Sequence, residues 1–330
     1  MQNSPGYTGS VNYDVDKTLV KIGGDSTNLN TGWTAGIIAL IEKKIGRKLH
    51  WIMCPVHTNE LGLRELIKKT DGDTDSKTGF KGPIGNMLKK VNNMKVASSF
   101  PAVSIEPDLI SLPSDIVKNL SSDATFPTYG AMQYAVVACL EIWPRGKQAT
   151  ILHCRWLTTG STFLDLYMKE HGLEGELLDR LNSIAIYFVT VYFPMFFCIK
   201  VMHSYLEGPR HILYELFRLQ ATEIQKLLEP TLRKSAWNAH RESVLLTMVC
   251  SDNQEEREFA ANAILAMRDG REEGDLKPLG KNPELNLMAT SLQGLVSWTA
   301  AKEPVETCKL SILQLQELKL APLKVKYAPV

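Results

Sequence analysis

A few short stretches of this chain carry residues whose types and spacing could support chemistry. The first is KIGGDSTNLNTGW, where Asp25 follows two glycines at the end of a predicted strand and precedes a polar loop. In open α/β sheets ligands gather beyond the carboxyl ends of strands. A carboxylate there can hold Mg2+, which takes oxygen ligands and keeps several waters. Residues 26–32, Asn28 among them, supply hydroxyls and amides and lead into a helix whose N-terminus favours anions. The plainer alternative makes Asp25 a helix-entry residue hydrogen-bonded to its own backbone. The glycine spacing fits neither a dinucleotide fingerprint nor a phosphate loop.

The second stretch is Cys54-Pro-Val-His57. Cys and His three apart at a strand-to-helix junction could form half of a zinc site. A second half is lacking, because His153 and Cys154 are adjacent in a predicted strand and point to opposite faces. No zinc is expected, and a buried Cys with a capping or hydrogen-bonded His is the simpler assignment. Asp71, Asp73 and Asp75 have the spacing that opens a calcium loop, but Ser76 stands where Gly is needed and Gly82 where the bidentate Glu belongs. The third stretch is Arg155-Trp156, followed by Leu-Thr-Thr-Gly-Ser-Thr. Arg and Trp together could grip a phosphate and stack on an unpaired base. A Trp buried between sheet and helix fits equally well. No Ser-His-Asp set and no cysteine-nucleophile signature can be assembled.

The elements that must position these residues follow from periodicity. Leu19 to Ile22 reads as a strand. Trp33, Ile37, Leu40, Ile41 and Lys44 fall at helical spacing before Gly46. Leu49 to Cys54 reads as a second strand closed by Pro55, and helical spacing resumes from His57 to Ile67. Two strands joined by such a helix are expected to be parallel, through a right-handed crossover. Residues 69–128 are rich in Gly, Asp, Ser and Pro and read as irregular. A helix is predicted over 130–143 and a strand over 149–154. From Ser161 the pattern is almost wholly helical. One helix is expected from Pro209 to about Leu228, with Ile212, Leu213, Leu216 and Phe217 on its apolar side. Another is expected between a capping box at 252–255 and Gly270. There is no internal repeat. The fold class is therefore α/β, a small sheet near the N-terminus, followed by a mostly α-helical domain. The divisions fall at 1–17 (tail), 18–160 (α/β core) and 161–330 (helical, with a loop-rich end).

Composition narrows the classes. The chain has 330 residues, 44% apolar and 22% charged, an ordinary globular balance. A net charge of +1 does not advertise a nucleic-acid binder at whole-chain level. Six scattered cysteines without a CxxC pair fit a reducing compartment. The N-terminal residues lack a signal-peptide core. The uncharged run IAIYFVTVYFPMFFCI is too short for a membrane span and contains Pro194, so it is expected to be a core helix kinked at the proline. An intracellular location follows, nucleus or cytoplasm, with no strong basic import cluster and no membrane partner.

Taken in order, strand–Asp–helix, CPVH and HCRWLTTGSTFLDLY resemble the arrangement in hAT-type DDE transposases, whose ribonuclease-H-like core is interrupted by an all-helical insertion. GDSTNLNTGW, GRKLHWIMCPVHTNELGLRELI and FKGPIGNML look like a group of transposon-derived animal proteins sharing that core. The likeness covers most of Leu19 to about Thr307. It implies a partial ribonuclease-H-like sheet and makes Asp25 the second metal-binding acid of a three-acid site. Such acids hold two Mg2+ ions that activate the nucleophile and stabilise the leaving oxygen in phosphodiester transfer. Arg155 and Trp156 would contact DNA at a displaced base, while Asn28, Cys54 and His57 would shape the surroundings of the site.

The resemblance also exposes departures. The first acid belongs on a hairpin upstream of Asp25, where only Asp14 and Asp16 stand. The last belongs after the helical insertion, and no acid follows Glu317. The DNA-binding zinc finger of an intact transposase is not in the sequence. The expectation is an incomplete acid set, in a truncated or decayed copy without strand-transfer or nuclease activity of its own. It would retain nucleic-acid binding, or protein binding through its helical domain. One alternative is an active Mg2+-dependent nuclease using acids such as Asp14 and Glu317. Another is a helical interaction module in which Asp25 is a loop residue only.

Overall fold

The computed structural model describes residues 19, 21–25, 27–32, 34–46, 49–74, 79–100, 155–200, 207–269 and 285–295. The described chain is mostly helical. Packing divides it into two compact units: described residues up to Met53 belong with those from Met248 to 269, and Cys54–Thr247 with 285–295. The division falls at Met53/Cys54, whereas the sequence places one near residue 160.

The first unit holds the sheet. β1 (Lys21–Gly24) and β2 (His50–Met53) pair in parallel, Lys21 opposite His50 and Gly24 opposite Met53. The connection such a pair requires consists of α1 (Asn28–Thr31) and α2 (Ile37–Ile45). β1 begins later than the apolar run starting at Leu19 suggests, because both glycines join the ladder. Gly46 ends α2 in the left-handed conformation, φ 72°. The inward face of α2 differs from the expected one. Ile38 and Glu42 are buried, while Ile37 and Leu40 are exposed. Glu42 accounts for the rotation: its carboxylate accepts the Leu49 N–H at 2.9 Å and ties the helix to the entrance of β2.

The second unit is a stack of helices. α3 (Pro55–Asp71) starts with Pro55 at its first turn, where a missing N–H costs nothing, rather than at His57. In the stretch from 69 expected to be irregular, α3 is followed by α4 (Pro83–Met87) and a 3-10 turn at Leu88–Asn93. Residues 101–154, with the helix and strand expected at 130–143 and 149–154, lie outside the described ones. α5 (Arg155–Tyr167) begins at Arg155, so the Arg-Trp pair opens a helix. Gly160 in that helix is demanded by packing: a Cβ there would lie 2.0 Å from the Phe188 ring.

α6 (Gly175–Tyr187), a π-helical segment (Phe188–Tyr192) and α7 (Phe193–Lys200) follow directly on one another. They contain the uncharged run, most of whose described side chains are buried, and no helix among the described residues is long and apolar enough to cross a membrane. The expected proline kink takes the form of a widened turn. Pro194 has no N–H, and its ring crowds the carbonyl four residues back. A π turn relieves this, with the Phe193 N–H bonding to the Phe188 carbonyl. The Thr190 carbonyl, which the proline deprives of its helical donor, accepts instead from the Tyr214 hydroxyl at 2.8 Å. Phe188, Tyr192 and Phe196 stack in sequence along the segment, at ring separations of 5.4 and 6.3 Å.

The helix expected from Pro209 to Leu228 is two helices, α8 (Gly208–Leu219) and α9 (Glu223–Lys234). Ala221 adopts a positive φ of 60° between them, and Thr222 caps α9 by accepting the Gln225 N–H. Ile212 and Leu216 face the core, but Phe217 is 61% exposed. α9 packs against α3, and α8 against the π segment. α10 (Arg241–Val249) then returns the chain to the first unit, where α11 (Gln254–Asp269) lies. Asn253 caps α11, its side-chain oxygen accepting the Glu255 N–H at 2.8 Å, one residue later than the expected box. The short α12 (Leu292–Leu295) belongs to the second unit.

Candidate functional site

Asp25 stands immediately after β1, where the sequence places it. Its Oδ1 accepts three hydrogen bonds from the following loop: the Thr27 N–H at 3.1 Å, the Thr27 hydroxyl at 2.5 Å and the Asn30 side-chain amide at 2.7 Å. Asn30 is held from behind by Gly24, at which a Cβ would sit 3.1 Å from the amide nitrogen. Asn28 opens α1. The carboxylate thus clasps the strand-to-helix loop as a capping acid does. An oxygen already accepting three donors is a poor ligand, and Mg2+ would have to be taken through the other oxygen. Among the described residues no group of three or more His, Cys, Asp or Glu side chains could hold a metal ion. The hydrogen bonds of Asp25 are those of a loop clasp.

Register ends the strands together, the chain leaving β1 at Asp25 and β2 at Cys54. Cys54 precedes α3, and its carbonyl accepts from the Thr58 N–H at 3.1 Å and the Thr58 hydroxyl at 3.2 Å. Its thiol is free and half-buried, and His57 lies half-buried in the first turn. Arg155 opens α5. Trp156 beside it is 9% exposed, its ring packed into the second unit. Asp25 and Asn28 thus belong to the first unit, and Cys54, His57, Arg155 and Trp156 to the second.

Of the calcium-like triplet, Asp71 is buried at the end of α3 and Asp73 is exposed beside Lys68 at 3.6 Å. Asp75 lies outside the described residues. Asp71 directs both oxygens at the start of α4, Oδ1 to the Ile84 N–H at 2.8 Å and Oδ2 to the Gly85 N–H at 2.6 Å. Burial raises its carboxyl above the ordinary range, while the Gly85 and Ile84 amides pull it down. That geometry occupies the acid inside the fold.

The most strongly perturbed groups lie elsewhere, in the second unit. The Tyr187 hydroxyl donates to Glu215 Oε1 at 2.8 Å, and Glu215 is 4% exposed. Burial drives the Glu215 carboxyl up to about 7, against the opposing hydrogen bond from Tyr187. Burial first, then the Glu215 charge, pushes the Tyr187 phenol well above its usual value. The pair fits against α3 only at a glycine: a Cβ on Gly62 would lie 2.0 Å from the Tyr187 oxygen and 3.2 Å from Glu215 Oε1. One turn before Gly62, the Asn59 amide donates to the Tyr192 carbonyl at 2.8 Å, while Asn59 Oδ1 is buried without a hydrogen bond. One turn before Glu215, burial lowers His211 to about 4. The sequence reading missed this cluster. Its one local signal was Gly62 in the middle of a helix, where glycine costs about 1 kcal/mol against alanine and usually marks a close approach.

Comparison with family models, with curated proteins and with solved structures finds no match to this chain.

Proposed function

We propose that the chain is a transposase-derived α/β core with a helical extension that binds nucleic acid rather than cleaving it. The observation that carries this reading is the state of Asp25. It occupies the strand-end position of a metal-binding acid, yet its Oδ1 accepts three donors of its own loop. The order of the strand-end acid, CPVH and the Arg-Trp helix start supports the ancestry, and the engaged carboxylate supports the loss of chemistry. A nicking assay on supercoiled DNA with Mg2+ or Mn2+ tests it. No cleavage is expected, and metal-dependent nicking that disappears in Asp25→Ala would overturn the reading in favour of an active nuclease. Binding is read by fluorescence anisotropy on single- and double-stranded DNA at two salt concentrations. Salt-sensitive binding is expected, since phosphate contacts release counterions.

A second reading, a helical protein-interaction module, is favoured by Trp156. A ring 9% exposed serves packing before it serves base stacking. Absence of salt-dependent DNA binding would decide for that module.

A further inference from the structure

We propose that Glu215 and Tyr187 form a proton-dependent clasp that locks α8 onto α6 and α3 while the carboxyl carries its proton and loosens α8 when the proton leaves. This is independent of whether the chain binds nucleic acid.

The geometry is that of a carboxyl group deprived of what an ion needs. Glu215 projects from the middle of α8 into the core, and its hydrogen-bond partner is a phenol, Tyr187, not a cation. A buried carboxylate without a cationic partner is strongly disfavoured, and the group takes up a proton instead. From α3 the approach is made by Gly62, whose missing side chain leaves backbone at the pair. From the π segment the nearest titratable group is Tyr192, which acts on Tyr187 as a further acid. On α8 itself His211 is one turn away, and burial keeps it neutral. The basic groups of the surrounding helices are paired elsewhere or exposed, Arg180 of α6 pairing with Glu176. Arg210 pairs with Glu207, and Arg218 lies on Tyr214. On α9, Lys226 pairs with Glu223, and Arg233 holds Glu229 and the Leu285 carbonyl. On α3, Lys68 and Lys69 pair with Asp73 and Glu65, and Arg64 is exposed. His240, just before α10, packs on Trp237. Among the described residues no cation is paired with the carboxylate.

The consequence has a definite sign. A carboxyl raised in the folded state binds its proton more tightly there than in the open state. Its contribution is complete below the ordinary value of 4.5 and is lost as pH rises to about 7. The transition lies in the physiological range, and the element it frees is α8. That helix also carries Tyr214, the donor that caps the proline-opened carbonyl of Thr190. Release of α8 therefore removes support from the π segment as well.

Hydrogen exchange on the full chain tests the clasp. After correction for intrinsic rates, in a His211→Phe background amides of Gly208–Leu219 should exchange about tenfold faster at pH 8 than at pH 6, and adding Glu215→Gln should abolish that dependence. Tyr187→Phe removes a donor that favours the ion, so the transition should move to higher pH. Infrared spectra of 13C-glutamate-labelled wild type should show a protonated glutamate above pH 6 that is lost by pH 8. This last measurement decides the matter even where the variants fail to fold. No protonated glutamate above pH 6, or the same pH dependence in Glu215→Gln, overturns the proposal.

Discussion

Asp71 places its two carboxylate oxygens on the first N–H groups of α4, inside the fold. Those donors have no partner within a helix so short, and the acid satisfies them as a cap would. Replacement by Asn keeps one acceptor and turns an NH2 donor toward the other N–H. One buried donor then goes unsatisfied, which costs about 1–3 kcal/mol. Asp71→Asn should therefore lower the unfolding free energy of the second unit by that amount, seen as a lower urea midpoint, with exchange accelerating first in Pro83–Met87. An unchanged midpoint would mean that the two hydrogen bonds contribute nothing. Asp25 makes the same kind of contact in the open, where its loop donors are exposed or partly buried. A truncation to Ala there should cost less, within about 1 kcal/mol, as read by thermal unfolding.

At the scale of elements, the π segment is the feature most tightly tied to particular side chains. Tyr214 donates to the one carbonyl that Pro194 leaves without its helical partner. Tyr214→Phe should cost about 1 kcal/mol. In a Pro194→Ala background the regained N–H can serve Thr190, and the same change should cost at least about 0.5 kcal/mol less. Additive losses in that double-mutant cycle would show that the hydroxyl and the proline are unconnected. Elements of this kind divide what the amino-acid order reveals from what it hides. The helices were legible because apolar spacing is local, and so was the end of α2 at Gly46. The break between α8 and α9 was not read; its mark is polar, Thr222 accepting the Gln225 N–H while Gln225 Oε1 accepts the Ala221 N–H. Apolar periodicity carries on through the break and masks it. The rotation of α2 was hidden, since it depends on Glu42 meeting Leu49 beyond the helix. Asp25 after its strand was legible, but its engagement by Asn30 was not. The Tyr187–Glu215 pair joins residues far apart in sequence, and no local pattern announces such a meeting.

At the scale of the whole molecule, two buried titrating groups on one helix face oppose each other. Glu215 stabilises the folded second unit below 4.5, and loses that effect as pH rises to about 7. His211 is depressed to about 4, so its neutral form is favoured on folding. Its stabilisation is present above 6.5 and is lost as pH falls through that window. The two shifts are similar in size, each on the order of 3 kcal/mol at full extent, so between pH 4.5 and 6.5 they offset. The wild-type chain should show little net slope from these two groups there. His211→Phe removes one side of the balance. Relative to wild type, the variant should gain stability on acidification from pH 6.5 to 4.5, and the difference should vanish above pH 7. Because the two units need not unfold together, the measurement is exchange of Gly208–Leu219 compared with Ile37–Ile45 across that range. The first should follow the titration and the second should ignore it. Parallel behaviour in both segments, or a variant that loses stability on acidification relative to wild type, would show that the neutral buried imidazole is not what His211 contributes.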